Sequence, residues 1–328
     1  MPKNICSFKI WLTLLTAALL NACASSNFES SDVEDWQPPT TQTQAPKTLL
    51  FNDKIEYFTV NRGFANFLPI VPTFNNKGKL LASWNPHSTG VKGRPTFIVM
   101  HGGHGIGGTD TYQALWARKE LKANVLVLDS YWSRGRLENW KTNTNFGVNM
   151  RALDAIAAGR FALTQGVDPD SIFLMGGSQG GWTVLRTFTQ EPFYIENAKP
   201  LFRGGISLYP NCVDGASSYA PTLGPYYAPV IVFTGGKDEA TPTWACSNRV
   251  FTQTQEWINY PNATHGFDAI GEGGFKDPPV DHNHECHYAL NTKFGGGANF
   301  QVCRDNEATE DMFRRIKKFV QELSKPVK

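Results

Sequence analysis

The sequence predicts an α/β domain built on a mostly parallel central sheet with helices on both faces. Three observations predict it. Short apolar runs, each of the length of one buried strand, recur between residues 96 and 260. Stretches with apolar residues at helical spacing alternate with these runs. The runs are apolar almost throughout, as strands are when helices cover both faces of a parallel sheet.

The individual elements follow in chain order. Strands are predicted for TFIVM (96–100), NVLVLD (124–129), SIFLM (171–175), GGISLY (204–209), PVIVFTG (229–235) and EWINY (256–260). Helices are predicted for TYQALWARKELK, NMRALDAIAAGRFALTQG, GWTVLRTFTQ and the closing amphipathic segment EDMFRRIKKFVQEL. Repeated strand, helix, strand order gives right-handed crossovers and parallel pairing. IEYFTV (55–60) and KLLASW (79–84) precede the first buried strand with no helix between them, so they predict an antiparallel edge.

The start of the chain predicts export. Lys3 and Lys9 precede IWLTLLTAALL, an apolar run too short to span a bilayer but suited to a signal peptide. Two cleavage patterns compete. LNAC resembles the lipobox of bacterial lipoproteins, which makes Cys23 the lipidated first residue, whereas Ala22 and Ala24 fit ordinary A-x-A cleavage. We favour the lipobox, because a cysteine is otherwise unusual at this position.

The predicted organisation is a signal peptide at 1–22, a flexible polar tether at 23–50 and one globular domain at 51–328. The tether is rich in Ser, Thr, Gln and Pro and too poor in apolar residues to fold. The domain can form a large core, since 41% of the chain is hydrophobic. No later stretch predicts a membrane-spanning helix, so membrane contact is expected only through the N-terminal lipid anchor, in the periplasm or at the cell surface.

Charge argues against nucleic acid as a partner. The formal net charge is only +2, and the basic residues are scattered along the chain and do not form a stripe. A small molecule is the expected partner.

A serine among glycines follows the third predicted parallel strand. Gly176, Ser178 and Gly180 match G-x-S-x-G between a strand and a helix. This pattern is typical of a nucleophile elbow, a strained turn that lifts the serine hydroxyl clear of the sheet and needs small neighbours. A phosphate-binding or linking turn is the alternative, but the Walker lysine is absent and a linker needs no flanking strand and helix.

A serine nucleophile needs a base and an orienting acid. Downstream, TGGKDEATP places Asp238 just past a predicted strand, and YPNATHGFD places His265 just past another. Their order, Ser, Asp, His, is that of this type of site. Asp238 could instead cap a helix, with Glu239 as the neighbouring carboxylate, and His265 could be a surface residue.

The oxyanion formed during acyl transfer needs two backbone N–H donors. One is expected from Gln179, the residue after the nucleophile, and the other from the HGGHGIGG loop, with Gly103 as the best candidate. His101 is expected to shape that loop, because it stands at the strand end with glycines behind it.

Four cysteines lie in the predicted domain, and an even number in an exported chain predicts two disulfides. Cys212 follows a predicted strand and Cys246 follows Asp238, so both should lie at the carboxyl edge of the sheet and pair. Cys286 and Cys303 should then pair and close the late insertion. Free, buried cysteines are the alternative.

The late insertions, GEGGFKDPPVDHNHECH and NTKFGGGANFQVC, read as irregular loops at the rim of the site. They hold a candidate metal group around Cys286, consisting of Asp281, His282, His284 and His287. We expect no metal there, because an oxidised Cys286 cannot be a thiolate ligand.

From about Lys79 onward the sequence resembles the dienelactone hydrolase family of α/β-hydrolases, particularly its exported, disulfide-bearing branch. The segments that carry the resemblance are FIVMHGGHGIGG, VLVLDSYWSRG, VDPDSIFLMGGSQGG, SLYPNC, GGKDEATPTWAC and YPNATHGFD. The resemblance implies an α/β-hydrolase fold, with Ser178, Asp238 and His265 hydrolysing an ester or lactone through an acyl-enzyme without a cofactor. Strict dienelactone hydrolases use a cysteine nucleophile, so Ser178 is a departure, and lactone specificity does not carry over.

Three functions remain open from the sequence. A serine carboxylesterase is the leading hypothesis. A peptidase of the prolyl oligopeptidase type shares the order of the triad but usually carries a large additional N-terminal domain. The third is a cell-surface binding lipoprotein that keeps the fold without catalysis, against which the complete set of catalytic groups argues.

Overall fold

The computed structural model describes residues 67–103, 105–134, 147–211, 225–243, 246, 255–269, 286–290 and 299–324. The strands in these ranges are β1 Leu68–Pro72, β2 Lys79–Asn85, β3 Thr96–Met100, β4 Asn124–Asp129, β5 Ile172–Gly177, β6 Gly204–Leu208, β7 Val230–Gly235, β8 Gln255–Tyr260, β9 Cys286–Leu290 and β10 Asn299–Cys303. The α-helices with both ends described are α1 Gly108–Glu120, α2 Val148–Thr164, α3 Gln179–Thr187, α4 Pro192–Asn197 and α5 Asn306–Leu323.

Strands β1 to β8 form one sheet in the order β1-β2-β4-β3-β5-β6-β7-β8. Strands β3 to β8 pair in parallel, while β1 and β2 form the antiparallel edge. The predicted mostly parallel sheet is therefore confirmed. The partner of β2 at the edge is LPIVP, which the sequence analysis does not predict, and the predicted strand IEYFTV lies outside the described residues.

Helices cover both faces of this sheet. Alternate residues of a strand point to opposite faces, so each strand contacts both helix layers. In β3, Ile98 and Met100 pack with α2 and α3, whereas Phe97 and Val99 pack with α1 and α5. Every residue of β3 is buried. The continuous apolar runs seen in the sequence are thus strands covered on both sides.

The connections of the sheet reverse direction between β3 and β5. The chain leaves β3 towards β4 on one side, and it leaves β5 towards β6 on the other. In open α/β sheets, ligands bind beyond the carboxyl ends of the strands at such a switch point. The loops after β3 and β5 begin there, at His101 and Ser178 respectively.

The late insertion is not wholly irregular. Strands β9 and β10 pair antiparallel as a separate two-stranded ribbon, with Cys303 opposite Cys286. The prediction that this region is loop alone is wrong, because the strands are short and a Gly-rich segment separates them. Within the described ranges, no helix has the length and apolarity needed to cross a membrane.

Candidate active site

Ser178 occupies a strained turn between β5 and α3. Its φ of 56° and ψ of −118° are unusual for a residue with a side chain. The turn brings backbones so close that a Cβ on Gly180 would lie 2.1 Å from the carbonyl oxygen of Met100, and one on Gly176 would lie 2.7 Å from the same atom. Glycine is required at both positions, which explains the GGSQGG pattern.

Three side chains from three different loops form a hydrogen-bonded chain. The Oγ of Ser178 lies 3.0 Å from Nε2 of His265, and Nδ1 of His265 lies 2.8 Å from Oδ2 of Asp238. Asp238 follows β7 and His265 follows β8, so both loops begin at the carboxyl edge of the sheet. Because Nδ1 faces a carboxylate, it carries the proton, and Nε2 can accept a proton from Ser178.

The carboxylate of Asp238 is buried and held by several donors. Its Oδ1 accepts from the backbone N–H groups of Ala240 and Thr241, at 2.9 and 2.7 Å. Its Oδ2 accepts from the hydroxyl of Thr241 at 2.6 Å as well as from His265. Glu239 is exposed and makes no such contact. The geometry therefore favours Asp238 over Glu239 as the partner of His265. Thr241, which holds the carboxylate of Asp238, is not singled out by the sequence.

Gly103 belongs to the loop after β3, and Gln179 directly follows Ser178. Gln179 is the first residue of α3, where a backbone N–H has no partner within the helix. The loop after β3 lies against the elbow, since a Cβ on Gly102 would be 3.8 Å from Cβ of Ser178. Neither Gly103 nor Gln179 donates its backbone N–H to another described residue. Both N–H groups are therefore candidates for the expected oxyanion donors.

His101 is fully buried and holds the loop that contains Gly103. Its Nε2 accepts from the backbone N–H of Ser130 at 3.1 Å, and its Nδ1 donates to the carbonyl of Gly102 at 2.7 Å. The bond with Ser130 ties the loop after β3 to the loop after β4. His101 thus has the contacts of a residue that shapes the loop, in line with the interpretation of the sequence.

Aromatic side chains enclose the imidazole of His265. The rings of Tyr209 and Phe300 meet it edge-on, with centroids 5.0 and 5.2 Å away. The hydroxyl of Tyr209 donates to Oδ1 of Asp268 at 2.8 Å, and burial raises the pKa of Tyr209 well above its usual range. The sequence predicts that Tyr209 ends a strand, but this residue has a φ of 35° and lies just past β6.

Two buried carboxyl groups lie behind this layer. Burial raises the pKa of Asp268, although hydrogen bonds from Gln113 and Tyr209 oppose the shift. Burial also raises the pKa of Asp110 to about 7, against a hydrogen bond from the backbone N–H of Gly107. The sequence gives little sign of these groups, because each lies in a stretch that reads as helix surface or loop.

Cys286 and Cys303 form a disulfide across the ribbon of β9 and β10. Cys246 is also disulfide-bonded. Its predicted partner, Cys212, lies outside the described residues, so that pairing stays a prediction. Cys23, Asp281, His282 and His284 also lie outside the described residues, while His287 falls within β9.

Comparison with known proteins gives matches at the level of structure. No protein-family model matches the chain, and no curated protein matches its sequence. A structure described as a dienelactone hydrolase of Klebsiella pneumoniae aligns with a TM-score of 0.56 and 16% identity, over 76% of this chain and 95% of its own. The thermophilic esterase Est2 of Thermogutta terrifontis aligns with a TM-score of 0.52 and 17% identity, over 80% and 94%.

A second structure of Est2, with propionate bound, aligns with a TM-score of 0.51 and 18% identity, over 80% of this chain and 96% of its own. These similarities define the fold, which is that of the α/β-hydrolases. The α/β-hydrolase fold that the resemblance implies is therefore confirmed.

Proposed function

We propose that this protein is a serine hydrolase that cleaves carboxylic esters or lactones through an acyl-enzyme. The observation that carries the proposal is the hydrogen-bonded chain from Ser178 Oγ through His265 to Asp238, placed at a strained elbow. The structural neighbours, called a dienelactone hydrolase and an esterase, add support for ester chemistry. At 16% and 17% identity, however, they do not identify the substrate.

The first half of the reaction makes the acyl-enzyme. Ser178 Oγ attacks the ester carbonyl while His265 Nε2 takes the hydroxyl proton, and Asp238 stabilises the resulting imidazolium. The N–H groups of Gly103 and Gln179 hold the negatively charged oxygen of the tetrahedral intermediate. The intermediate then collapses and expels the alkoxide, which takes the proton from His265. In a lactone, the released alcohol remains part of the acyl group.

The second half restores the enzyme. A water molecule gives a proton to His265 and attacks the acyl carbon, forming a second tetrahedral intermediate at the same donors. Its collapse releases the carboxylic acid and returns the proton to Ser178. This sequence of steps needs no cofactor.

Labelling and turnover test the proposal together. A fluorophosphonate probe should label the wild-type protein at Ser178, and p-nitrophenyl esters should be hydrolysed, whereas Ser178→Ala should do neither. Equal labelling of both proteins would remove Ser178 as the nucleophile. Faster turnover of aminoacyl-proline amides than of esters would indicate a peptidase, and an inert wild-type protein would indicate a binding role.

We also propose that the chain is exported and anchored by a lipid on Cys23, with 1–22 as signal peptide, 23–50 as tether and 51–328 as the catalytic domain. The disulfide between Cys286 and Cys303 supports an oxidising compartment, since such bonds are rare in the cytosol. A second bridge from Cys246 to Cys212 completes the proposal, and non-reducing peptide mapping tests it.

A further inference from the structure

Arg151 is the largest fully buried side chain described, and it lies near the start of α2. In the part of the chain that the structure describes, no carboxylate lies within ion-pairing distance of its guanidinium. A buried charge without a paired opposite charge is costly and persists only where its surroundings compensate it. The groups around Arg151 therefore indicate its role.

The guanidinium bridges two loops of the candidate site. Its Nη2 donates to the backbone carbonyl of His101, and its Nη1 donates to Oε1 of Gln179 at 3.2 Å. Tyr131 completes the cluster, because its ring lies 5.3 Å from the guanidinium carbon and its hydroxyl also donates to Oε1 of Gln179. Arg151 thus connects the loop after β3, the loop after β4 and the first residue of α3.

The loop after β3 and the start of α3 carry the backbone donors expected for the oxyanion. Gly103 lies two residues beyond His101, and Gln179 supplies the second N–H itself. We propose that Arg151 is a positioning residue for the oxyanion hole, which fixes the separation of its two donors and places a positive charge behind them. The inference rests on the proposed hydrolase function and extends it to a residue that does not touch the reacting atoms.

The chemistry explains why a guanidinium suits this position. A tetrahedral intermediate is stabilised only by donors held at about 2.7–3.1 Å from the oxyanion, so small displacements of either loop weaken it. The planar guanidinium presents several donors in a fixed geometry and holds two acceptors at once. Its charge also lies in a buried region, where electrostatic interactions are stronger than in water.

The test compares Arg151→Met with a matched control, Arg186→Met. Arg186 is also a mostly buried arginine, but it lies in the last turn of α3, where it binds Asn149 of α2 and Glu191. Turnover of p-nitrophenyl acetate and inhibition by phenylboronic acid are measured on each protein, with thermal unfolding as the check on folding. Phenylboronic acid forms a tetrahedral adduct with an active serine and so reports on the oxyanion hole.

We expect Arg151→Met to lower kcat by about 10- to 100-fold with little change in KM, somewhat less than the loss of one oxyanion donor. Boronate affinity should fall with kcat/KM, and Arg151→Lys should recover part of both. Arg186→Met should lose stability without losing kcat. A folded Arg151→Met with wild-type kcat, or an equal loss of kcat in Arg186→Met, would overturn the role of Arg151.

Two further outcomes separate this inference from the proposed function. If Ser178→Ala is as active as the wild type, the hydrolase mechanism is overturned, and the inference with it. If Ser178→Ala is inactive but Arg151→Met is as active as the wild type, the inference alone is overturned. If Arg151→Met does not fold, Arg151→Lys decides, because a lysine cannot reproduce the two-acceptor geometry and wild-type kcat in that variant contradicts the proposal.

Discussion

The backbone N–H of Cys303 donates to the hydroxyl of Thr264 at 2.8 Å, and Thr264 directly precedes His265. The disulfide-bonded ribbon is thereby attached to the loop that carries the proposed base. Phe300 of the same ribbon packs edge-on against the imidazole, 5.2 Å between ring centroids. The late insertion therefore supports the site as well as bordering it.

This attachment predicts that the disulfide influences turnover. Replacing both Cys286 and Cys303 with serine should destabilise the ribbon, since a bridge closing a loop of this length typically contributes about 3 kcal/mol. The loop of His265 loses its support, and we expect kcat to fall by roughly three- to ten-fold. Ester turnover and thermal unfolding measure the two effects.

Reduction provides the matched control for that experiment. Dithiothreitol should lower the activity of the wild-type protein towards that of the double serine variant, and should change the variant less. Any loss of activity that reduction still causes in the variant measures the effect of breaking the disulfide of Cys246. Thiol titration verifies that Cys286 and Cys303 are reduced. If the reduced wild-type protein then keeps its full activity, the role given to the ribbon is contradicted.

The bonds of Asp238 predict which carboxylate orients the base. Asp238→Asn keeps the size of the side chain but removes the charge that stabilises the imidazolium and the tautomer of His265. We expect kcat to fall by about 10³–10⁴-fold while the protein remains folded, as for the equivalent change in a serine protease. Steady-state kinetics with a p-nitrophenyl ester measure the loss.

Glu239→Gln is the control, because the exposed carboxylate of Glu239 makes no contact with His265. Its kcat should stay within about two-fold of wild type. A large loss in Glu239→Gln together with an active Asp238→Asn would assign the acid to the neighbouring residue.

The sequence predicts the sheet, and it singles out the side chains of the proposed triad, because both depend on local patterns. Continuous apolar runs mark strands covered on both faces, and the elbow needs glycine at Gly176 and Gly180 for reasons of space that any chain with this turn shares. Strand β1 is missed because prolines at Pro69 and Pro72 argue against a strand. An edge strand tolerates them, since part of its backbone needs no partner.

The supporting residues are not predictable in the same way. Arg151 lies in a helical segment where an arginine ordinarily marks the solvent face, and its burial depends on two loops that are distant in sequence. The partners of Asp268 are likewise 155 and 59 residues away, at Gln113 and Tyr209. Such contacts arise from the tertiary fold and leave no periodic signal in the sequence.

The proposed anchor predicts how the native protein distributes. If Cys23 is lipidated, the full-length protein made with its own leader should partition into the detergent phase, because an acyl chain and its glyceride supply enough apolar surface to bind a membrane. Cys23→Ser should block this modification, and phase separation followed by mass spectrometry of the N-terminal peptide measures it. Wild-type protein in the aqueous phase with an N-terminus after Ala24 would favour ordinary signal-peptide cleavage.

The buried carboxyl group of Asp110 predicts a pH dependence of stability. Asp110 is 7% exposed, near Asp268 and Arg151, and burial raises its pKa to about 7. The side chain has a pKa of about 3.9 in an unfolded chain, so between about pH 4 and 7 the folded state binds more protons than the unfolded state. The free energy of unfolding therefore falls as the pH rises through this range.

Asp110→Asn should flatten that dependence. Asparagine is neutral at every pH and can still accept the hydrogen bond from the backbone N–H of Gly107, which Asp110 accepts at 2.7 Å. A shift of this size corresponds to at most about 4 kcal/mol. The variant should therefore match the wild type near pH 4, where the carboxyl group is only starting to ionise in the unfolded chain, and should exceed its stability increasingly up to about pH 7. Urea unfolding from pH 4 to 8 measures the difference, with Glu239→Gln as the control for loss of an exposed carboxyl group. Curves for wild type and Asp110→Asn that stay parallel across the range would show that Asp110 does not titrate there.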